Sequence, residues 1–137
     1  MKWREFISLI GCITIGWIAS GDPSSASPVG LWQAKDGGKM RIAPCGQNLC
    51  GFVTHTNPPN AKDTNNVDPA KRSRSLVGVQ VLISMKPNGA SKWSGQLYDD
   101  NTGRTYEGNL MELGPSSIKI EGCLAMICDG ETLTRVK

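Results

Sequence analysis

The sequence predicts an all-β fold, an antiparallel barrel or sandwich of about eight short strands. Beyond residue 26, no long segment repeats its apolar residues at the helical spacing of about 3.6. Short runs of alternating apolar and polar residues occur instead, separated by glycine and proline. Four cysteines in two equally spaced pairs indicate a small, cross-linked domain.

The first half of this domain contains three candidate strands. They cover residues 30–34, 39–43 and 49–56. Gly37-Gly38 provides a turn between the first two, since glycine adopts backbone angles that other residues avoid. A cysteine-flanked loop separates the second and third, so the pattern favours consecutive hairpins.

The strand predicted at residues 77–85 has the clearest alternation. Val79, Val81, Ile83 and Met85 share one face, which predicts that these four side chains point into the core. The Pro-Asn-Gly sequence at 87–89 is a strong turn signal and ends the strand.

Four further strands complete the predicted order. They cover residues 92–99, 104–113, 117–123 and 131–136. Asp100-Asn101-Thr102-Gly103 closes the first pair as a hairpin, with Gly103 free to take a positive φ, and Gly114-Pro115 turns the chain between the next two.

Residues 1–26 are predicted to be a cleavable signal peptide. Lys2 and Arg4 precede an uncharged apolar run at 6–19, which is shorter than the ~20 residues that span a bilayer. Small residues at 24–26 place the cleavage before Ser27, with a second possible site at residues 19–21. Residues 27–137 then form one periplasmic or secreted domain without an integral membrane span. A lipobox-like Leu-Ile-Gly-Cys at 9–12 leaves acylation of Cys12 as an alternative.

The charge pattern excludes one class of partner. The formal net charge is +3, and no clustered basic face is evident, so nucleic acid is not an expected ligand. No motif calls for a cofactor, and we expect none.

The four cysteines, Cys45, Cys50, Cys123 and Cys128, favour local disulfides. Each pair encloses four residues, and the residues that flank a four-residue hairpin loop lie opposite each other at disulfide distance. Cys45–Cys50 and Cys123–Cys128 are therefore the preferred bridges. Pairing between the two halves of the chain and a four-cysteine zinc site are the alternatives.

Residues 57–76 are too long and too polar for a hairpin loop, and loops of this length are often functional. Oxygen donors lie close together in it at Asp63, Asn66 and Asp68, which suits either a calcium ion or turn formation. Because the EF-hand spacing is not met, we expect no metal. Arg72 and Arg74 follow, and suit either an anionic ligand or solvent.

The sequence predicts no catalytic residue. His55 is the only histidine, and no serine elbow or free thiol accompanies it. Asp99, Asp100, Glu107 and Glu112 flank one hairpin, so a carboxylate-dependent hydrolase, in which two of them face each other, is an alternative that replacement of Asp99 and Glu107 would test.

The two ends of the domain resemble those of lipocalin-like (calycin) barrels. Such barrels pair a Gly-x-Trp near the first strand with an arginine of the last, as Gly30-Leu31-Trp32 and Arg135 do here. The resemblance implies an eight-stranded barrel in which the Arg135 guanidinium lies over the Trp32 indole and closes one end.

A more specific resemblance is to the bacterial family named domain of unknown function 2147. Its motifs here are GLW at 30–32, CGQNLCG at 45–51, DTNNVDP at 63–69, Gly78, WSGQLYD at 93–99, GRTY at 103–106, GC at 122–123, Cys128 and TRV at 134–136. Family members often have tryptophan before the final Thr-Arg, where this chain has Leu133. The resemblance implies an exported small β-barrel and no established activity.

We therefore expect a binding module for a small apolar or amphipathic molecule, or for a component of the cell envelope. An envelope interaction protein without a ligand cavity is the alternative. The aliphatic face of residues 79–85 separates the two, because side chains that filled the barrel would leave no cavity.

Overall fold

The computed structural model of the protein describes residues 27–137, so the predicted signal peptide and Cys12 lie outside the described residues. Eight strands are present: β1 (Gly30–Gln33), β2 (Lys39–Cys45), β3 (Asn48–His55), β4 (Gln80–Pro87), β5 (Lys92–Asp99), β6 (Arg104–Gly114), β7 (Ser117–Leu124) and β8 (Ile127–Arg135). A single turn of 3-10 helix, Pro69–Lys71, interrupts the long loop between β3 and β4. No helix within residues 27–137 is long and apolar enough to cross a membrane.

The strands form a closed antiparallel barrel. Each strand pairs with the next along the chain, and β1 also pairs with β8, where Trp32 lies opposite Arg135. The prediction of a small eight-stranded antiparallel β-barrel is confirmed. Closure leaves no free sheet edge, which removes the unpaired backbone groups that promote aggregation.

The barrel interior is apolar. Its buried core comprises Trp32, Met40, Ile42, Leu82, Met85, Leu110, Ile118 and Leu133. Six of the eight strands supply these side chains, and on β2 Met40 and Ile42 show the period of two that a pleated strand imposes. Burial of these side chains supplies the main driving force for closure.

Strand β4 departs from its predicted alternation. Val79, Leu82 and Met85 are buried, whereas Val81 and Ile83 are only partly buried. Ile83 packs on a second cluster formed by Leu76, Val79 and Tyr98, and Val81 contacts both this cluster and the barrel core. Ser84 has a φ of 50°, and the register with β5 shifts between Ile83 and Lys86. The prediction of one continuous inward face was wrong, because this β-bulge changes the phase of the strand.

Both disulfides are local. Cys45–Cys50 crosses the β2–β3 hairpin diagonally, with a Cα–Cα distance of 5.8 Å, because Cys45 lies opposite Asn48. Cys123–Cys128 joins directly opposite residues of β7 and β8, at 4.0 Å. The favoured pairing is confirmed over cross-pairing and over a zinc site. In the chain-entropy model, a bridge across so short a loop contributes about 2 kcal/mol.

Candidate functional site

A cavity of about 360 Å³ occupies one end of the barrel. We call this end the mouth; it carries the β1–β2 and β5–β6 hairpins and the long loop that follows β3. The opposite end carries both chain ends of the barrel, at Gly30 and Arg135. Lipocalin-sized barrels have room for one small ligand in this position.

The inner wall of the cavity is apolar. Met40, Leu97, Ile120 and Leu133 line it from four different strands. All four belong to, or pack against, the buried core that contains Trp32. An apolar part of a ligand placed here would be removed from water, which is the main source of affinity in such pockets.

The outer part of the cavity is acidic. Six carboxylates line it, from Asp36, Asp99, Asp100, Glu121, Asp129 and Glu131. Asp36 accepts a hydrogen bond from the Gly38 backbone N–H at 2.8 Å, and Asp99 accepts one from the Asn101 N–H at 2.9 Å. These two aspartates therefore shape their own turns while they face the mouth.

Two of these carboxylates, Asp100 and Glu131, have raised pKa values, first through burial and then through neighbouring negative charges. Burial raises the pKa of Asp100, and the charges of Asp99, Asp63 and Asp36 raise it further against the effect of a backbone hydrogen bond. Burial likewise raises the pKa of Glu131, with added repulsion from Asp36, Asp100 and Asp99. The mouth is thus a region of concentrated negative potential.

The long loop forms one side of the mouth and is anchored to the barrel by a buried polar network. Ala61 and Leu76 of the loop line the cavity. Oδ1 of Asp63, which is fully buried, accepts a hydrogen bond from the Tyr98 hydroxyl on β5 at 2.5 Å. Its Oδ2 accepts from Nδ2 of Asn66 at 2.8 Å and from Nε of Arg74 at 2.9 Å.

The network fixes the ionisation of its members. Burial by itself raises the pKa of Asp63, but the hydrogen bonds from Tyr98, Asn66 and Arg74, together with the Arg74 charge, hold it below its usual value. Burial and the neighbouring Asp63 raise the pKa of Tyr98 to about 12. Asp63 is therefore ionised and Tyr98 is a hydrogen-bond donor at neutral pH.

The loop residues predicted from the sequence as ligand contacts form hydrogen bonds within the loop instead. Arg72 donates from Nε to the Asn66 carbonyl at 2.7 Å, and Asp68 accepts from the Ala70 N–H at the start of the 3-10 turn. The lining of the cavity includes none of the five predicted contact residues, Asp63, Asn66, Asp68, Arg72 and Arg74. A guanidinium 2.9 Å from Asp63 also disfavours a cation there.

At the end opposite the mouth, the Arg135 guanidinium lies 4.4 Å from the centroid of the Trp32 ring. It donates three hydrogen bonds, to the carbonyls of Pro115 at 2.8 Å and of Val29 and Ser27 at 2.9 Å each. Trp32 is fully buried. The geometry combines a cation–π contact with a hydrogen-bonded anchor for the first residues of the domain.

The carboxylates considered for hydrolysis are dispersed. Asp99 and Asp100 line the cavity, but Glu107 is exposed outside it, and Glu112 lies near the other end, where β6 leads towards Gly114. His55 lines the cavity and contacts Thr54 Oγ1 at 3.1 Å. The structure therefore does not bring Asp99 and Glu107, the two residues chosen to test the hydrolase alternative, together: Asp99 lies opposite Arg104 and Glu107 opposite Gln96.

One group of side chains has the spacing of metal ligands. Donor atoms of Glu121, Cys123 and Cys128 lie within 4.8 Å of one another. The two sulfurs are bonded to each other, so neither is available as the thiolate that a metal needs. This group does not fit a metal while the bridge is intact.

The β7–β8 hairpin projects at the mouth with an apolar tip. Leu124, Met126 and Ile127 are 71, 96 and 77% exposed. The Cys123–Cys128 bridge joins the strands just behind this tip. The mouth thus has one exposed apolar projection beside its acidic lining.

Sequence reasoning missed the acidic lining as a unit. Asp36, Asp100 and Glu131 are far apart along the chain, and each belongs to a turn or strand that needs no function to explain it. The one available signal was the position of several acidic residues at strand ends that an up-and-down barrel places on the same side.

Comparisons with known proteins agree with the fold. A family model described as "Uncharacterized protein conserved in bacteria (DUF2147)" matches residues 30–135. A solved structure described as "Protein HP1028 from the human pathogen Helicobacter pylori belongs to the lipocalin family" superimposes with a TM-score of 0.72 at 17% identity, over 82% of this chain and 85% of that one. At this identity the similarity establishes the barrel fold alone. No curated protein matches.

Proposed function

Since the chain belongs to the DUF2147 family of bacterial proteins, whose barrel here is lipocalin-like, we propose that it is an exported binding protein. It holds one small apolar or amphipathic molecule, free or part of the cell envelope, in the mouth of the barrel. The mouth cavity carries this proposal.

Both the size and the lining of the cavity support a ligand. Ligand pockets typically measure roughly 300–1,000 Å³ and combine an apolar wall with a few polar groups. This cavity measures about 360 Å³, with Met40, Leu97 and Leu133 on its wall and polar groups at its opening. Its volume suits a small molecule rather than a long lipid.

The two alternatives from the sequence receive less support. An interaction protein without a ligand cavity required the aliphatic side chains of β4 to fill the barrel. Leu82 and Met85 fill part of it, but a cavity of about 360 Å³ remains beside them. A hydrolase required facing carboxylates, and Glu107 is not part of the cavity lining.

Export is part of the proposal. The apolar leader at 6–19 and the small residues before Ser27 support cleavage by a signal peptidase. Two disulfides in a small domain support an oxidising compartment, the periplasm or the cell exterior. Protein purified from the periplasm or medium is expected to begin at Ser27; a chain that begins at Met1 with free thiols would refute this part of the proposal.

A fluorescent probe tests the cavity. N-phenyl-1-naphthylamine is small and uncharged, and its emission rises in apolar surroundings. We expect one probe to bind per chain. Ile120→Trp, which enlarges a side chain on the cavity wall, should abolish the signal, whereas Phe52→Trp on the exposed outer surface should retain it.

Two results would contradict the proposal. One is the absence of probe binding to the wild-type protein. The other is equal binding to the wild type and to a folded Ile120→Trp variant, because the probe would then occupy another surface. Native mass spectrometry of the exported protein adds a direct check, since a co-purified small molecule should be absent from the same variant.

A further inference from the structure

We infer that the cavity selects amphipathic cations: molecules with an apolar body and a primary amine or quaternary ammonium head. This inference rests on the proposed function, because it specifies the ligand of the same cavity. It follows from the distribution of charge around the apolar wall.

Negative charge is concentrated at the cavity. Residues 27–137 contain ten of the chain's twelve acidic residues, and six of these ten line the cavity. The whole chain carries a formal net charge of +3, so the acidic mouth is not a consequence of an acidic protein. Charge of one sign inside a concave, low-dielectric wall attracts a ligand of the opposite sign.

The chain provides little positive charge to neutralise these carboxylates. Lys39 is the only lysine or arginine in the lining, and His55 is the only other basic side chain there. Among residues 27–137, the ion pairs are Arg74–Asp63 and Lys119–Glu121. Asp36, Asp99, Asp100, Asp129 and Glu131 therefore lack a cationic partner within the described part of the chain.

The raised pKa values of Asp100 and Glu131 indicate unfavourable negative charge that a bound cation would offset. Burial and the neighbouring aspartates make the ionised forms of both groups unfavourable. A bound ammonium would stabilise those forms, whereas an anionic head would add to the repulsion.

The apolar wall of the cavity requires that the ligand also have an apolar body. A bare inorganic cation would leave Met40, Leu97, Ile120 and Leu133 exposed to water in the cavity. An apolar body of limited length covers these side chains while the charged head stays among the carboxylates at the opening, three of which are exposed and three partly buried. Wall and carboxylates together therefore specify an amphipathic cation.

A matched set of eight-carbon probes tests this selectivity. Octyltrimethylammonium, octyl glucoside and octyl sulfate share one chain and carry a positive, a neutral and a negative head. Calorimetric titration at pH 7 and low salt, below the micellar concentrations, should give binding of the cation about tenfold tighter than of the neutral probe, with the anion weakest. This preference should shrink as salt is added, because the carboxylates are partly exposed.

Two charge-matched variants link the preference to the mouth. Asp100→Asn with Glu131→Gln removes two carboxylates from the cavity, and the preference for the cation over the glucoside should fall to about threefold or less. Asp68→Asn with Glu107→Gln removes the same charge elsewhere and should keep the wild-type preference.

The outcomes separate this inference from the proposed function. If the glucoside binds in the cavity as tightly as the cation, or if the full preference survives in the Asp100→Asn, Glu131→Gln variant, cation selection is refuted and a binding protein remains. If no octyl compound and no N-phenyl-1-naphthylamine binds, the proposed function itself fails.

Discussion

The Tyr98 hydroxyl donates a 2.5 Å hydrogen bond to Oδ1 of Asp63, a residue 35 positions earlier in the chain. This bond joins the outer surface of β5 to the long loop between β3 and β4. Nδ2 of Asn66 lies 3.1 Å from the same hydroxyl, so three buried polar side chains share one network. The network holds the loop to the barrel together with two bonds to the β5–β6 hairpin, from Asn65 Nδ2 to the Asp100 carbonyl at 3.1 Å and from the Val67 N–H to the Gly103 carbonyl at 3.4 Å.

Tyr98→Phe should destabilise the protein by about 1–3 kcal/mol, because it leaves an oxygen of the buried Asp63 carboxylate without this donor. Urea unfolding measures the change. Tyr106→Phe is the matched control, since the Tyr106 hydroxyl contacts only the exposed Thr102 Oγ1, at 3.1 Å; its effect should stay within about 0.5 kcal/mol. Equal losses in the two variants would contradict a special role for the network.

Asp63 should contribute a component of stability that disappears in acid. Its folded-state pKa is lowered, so this component is present above the unfolded-state value near 3.8 and is lost as pH falls through the folded value. The difference in free energy of unfolding between the wild type and Asp63→Asn should therefore be constant at neutral pH and shrink below about pH 4. Urea titrations from pH 7 to pH 2 measure it, and a difference independent of pH would refute the assignment.

Asp100→Asn and Glu131→Gln should each stabilise the unliganded protein at pH 7. Both acids have raised folded-state pKa values, so their ionisation opposes folding at high pH, and the penalty fades as pH falls through those values. Thermal unfolding at pH 7 and in acid measures the gain and its loss. Glu107→Gln, outside the cavity, is the control; a melting temperature lowered by either test variant at pH 7 would contradict the repulsion.

Gly103→Ala should detach the long loop from the β5–β6 hairpin. Gly103 has a φ of 73°, and an added Cβ would overlap the carbonyl oxygen of Asn65 in the loop. Gly89→Ala is the matched control, with a φ of 107° and nothing within 4 Å of the added atom. Both variants carry backbone strain, so the excess destabilisation at Gly103, about 1–3 kcal/mol or more, isolates the clash.

Faster amide exchange at residues 61–67 in Gly103→Ala alone would locate that effect in the loop. Similar stability losses and similar exchange in both variants would show that the close approach to Asn65 does not matter.

Arg135→Lys should destabilise the barrel by about 1–3 kcal/mol although it keeps the charge. Lysine cannot reproduce the planar guanidinium that covers Trp32 and donates to three carbonyls. Chemical unfolding followed by tryptophan fluorescence measures the loss. Arg41→Ala, on the exposed outer face of β2, should change stability by less than about 0.5 kcal/mol. Wild-type stability of Arg135→Lys would contradict the proposed closing role of the pair.

The strands and their order were predictable because their signals are local. Alternation of apolar and polar residues predicted β2 and β3. The turn residues Asp100–Gly103 predicted the β5–β6 hairpin, in which Gly103 has the expected positive φ. The disulfides were predictable from their local spacing, but the expected geometry holds for one of them: Cys123 lies opposite Cys128, whereas Cys45 lies opposite Asn48 and bridges to Cys50 across a diagonal. Which β4 side chains point into the barrel was not predictable. The bulge at Ser84 buries Leu82 in place of the expected Ile83, and nothing in the alternation of the sequence indicates it.

By itself, the amino-acid sequence indicated the strands, their order and the preferred bridges, since each depends on residues a few positions apart. The choice of a barrel over a sandwich came from the resemblance to lipocalin-like barrels. Only the tertiary structure determined which acidic residues meet around the cavity. The charge of Asp36 raises the pKa of both Asp100 and Glu131, although the three residues lie in separate parts of the chain. A period of two specifies which face of a strand is buried, but closure of the sheet determines which strand ends meet around the cavity.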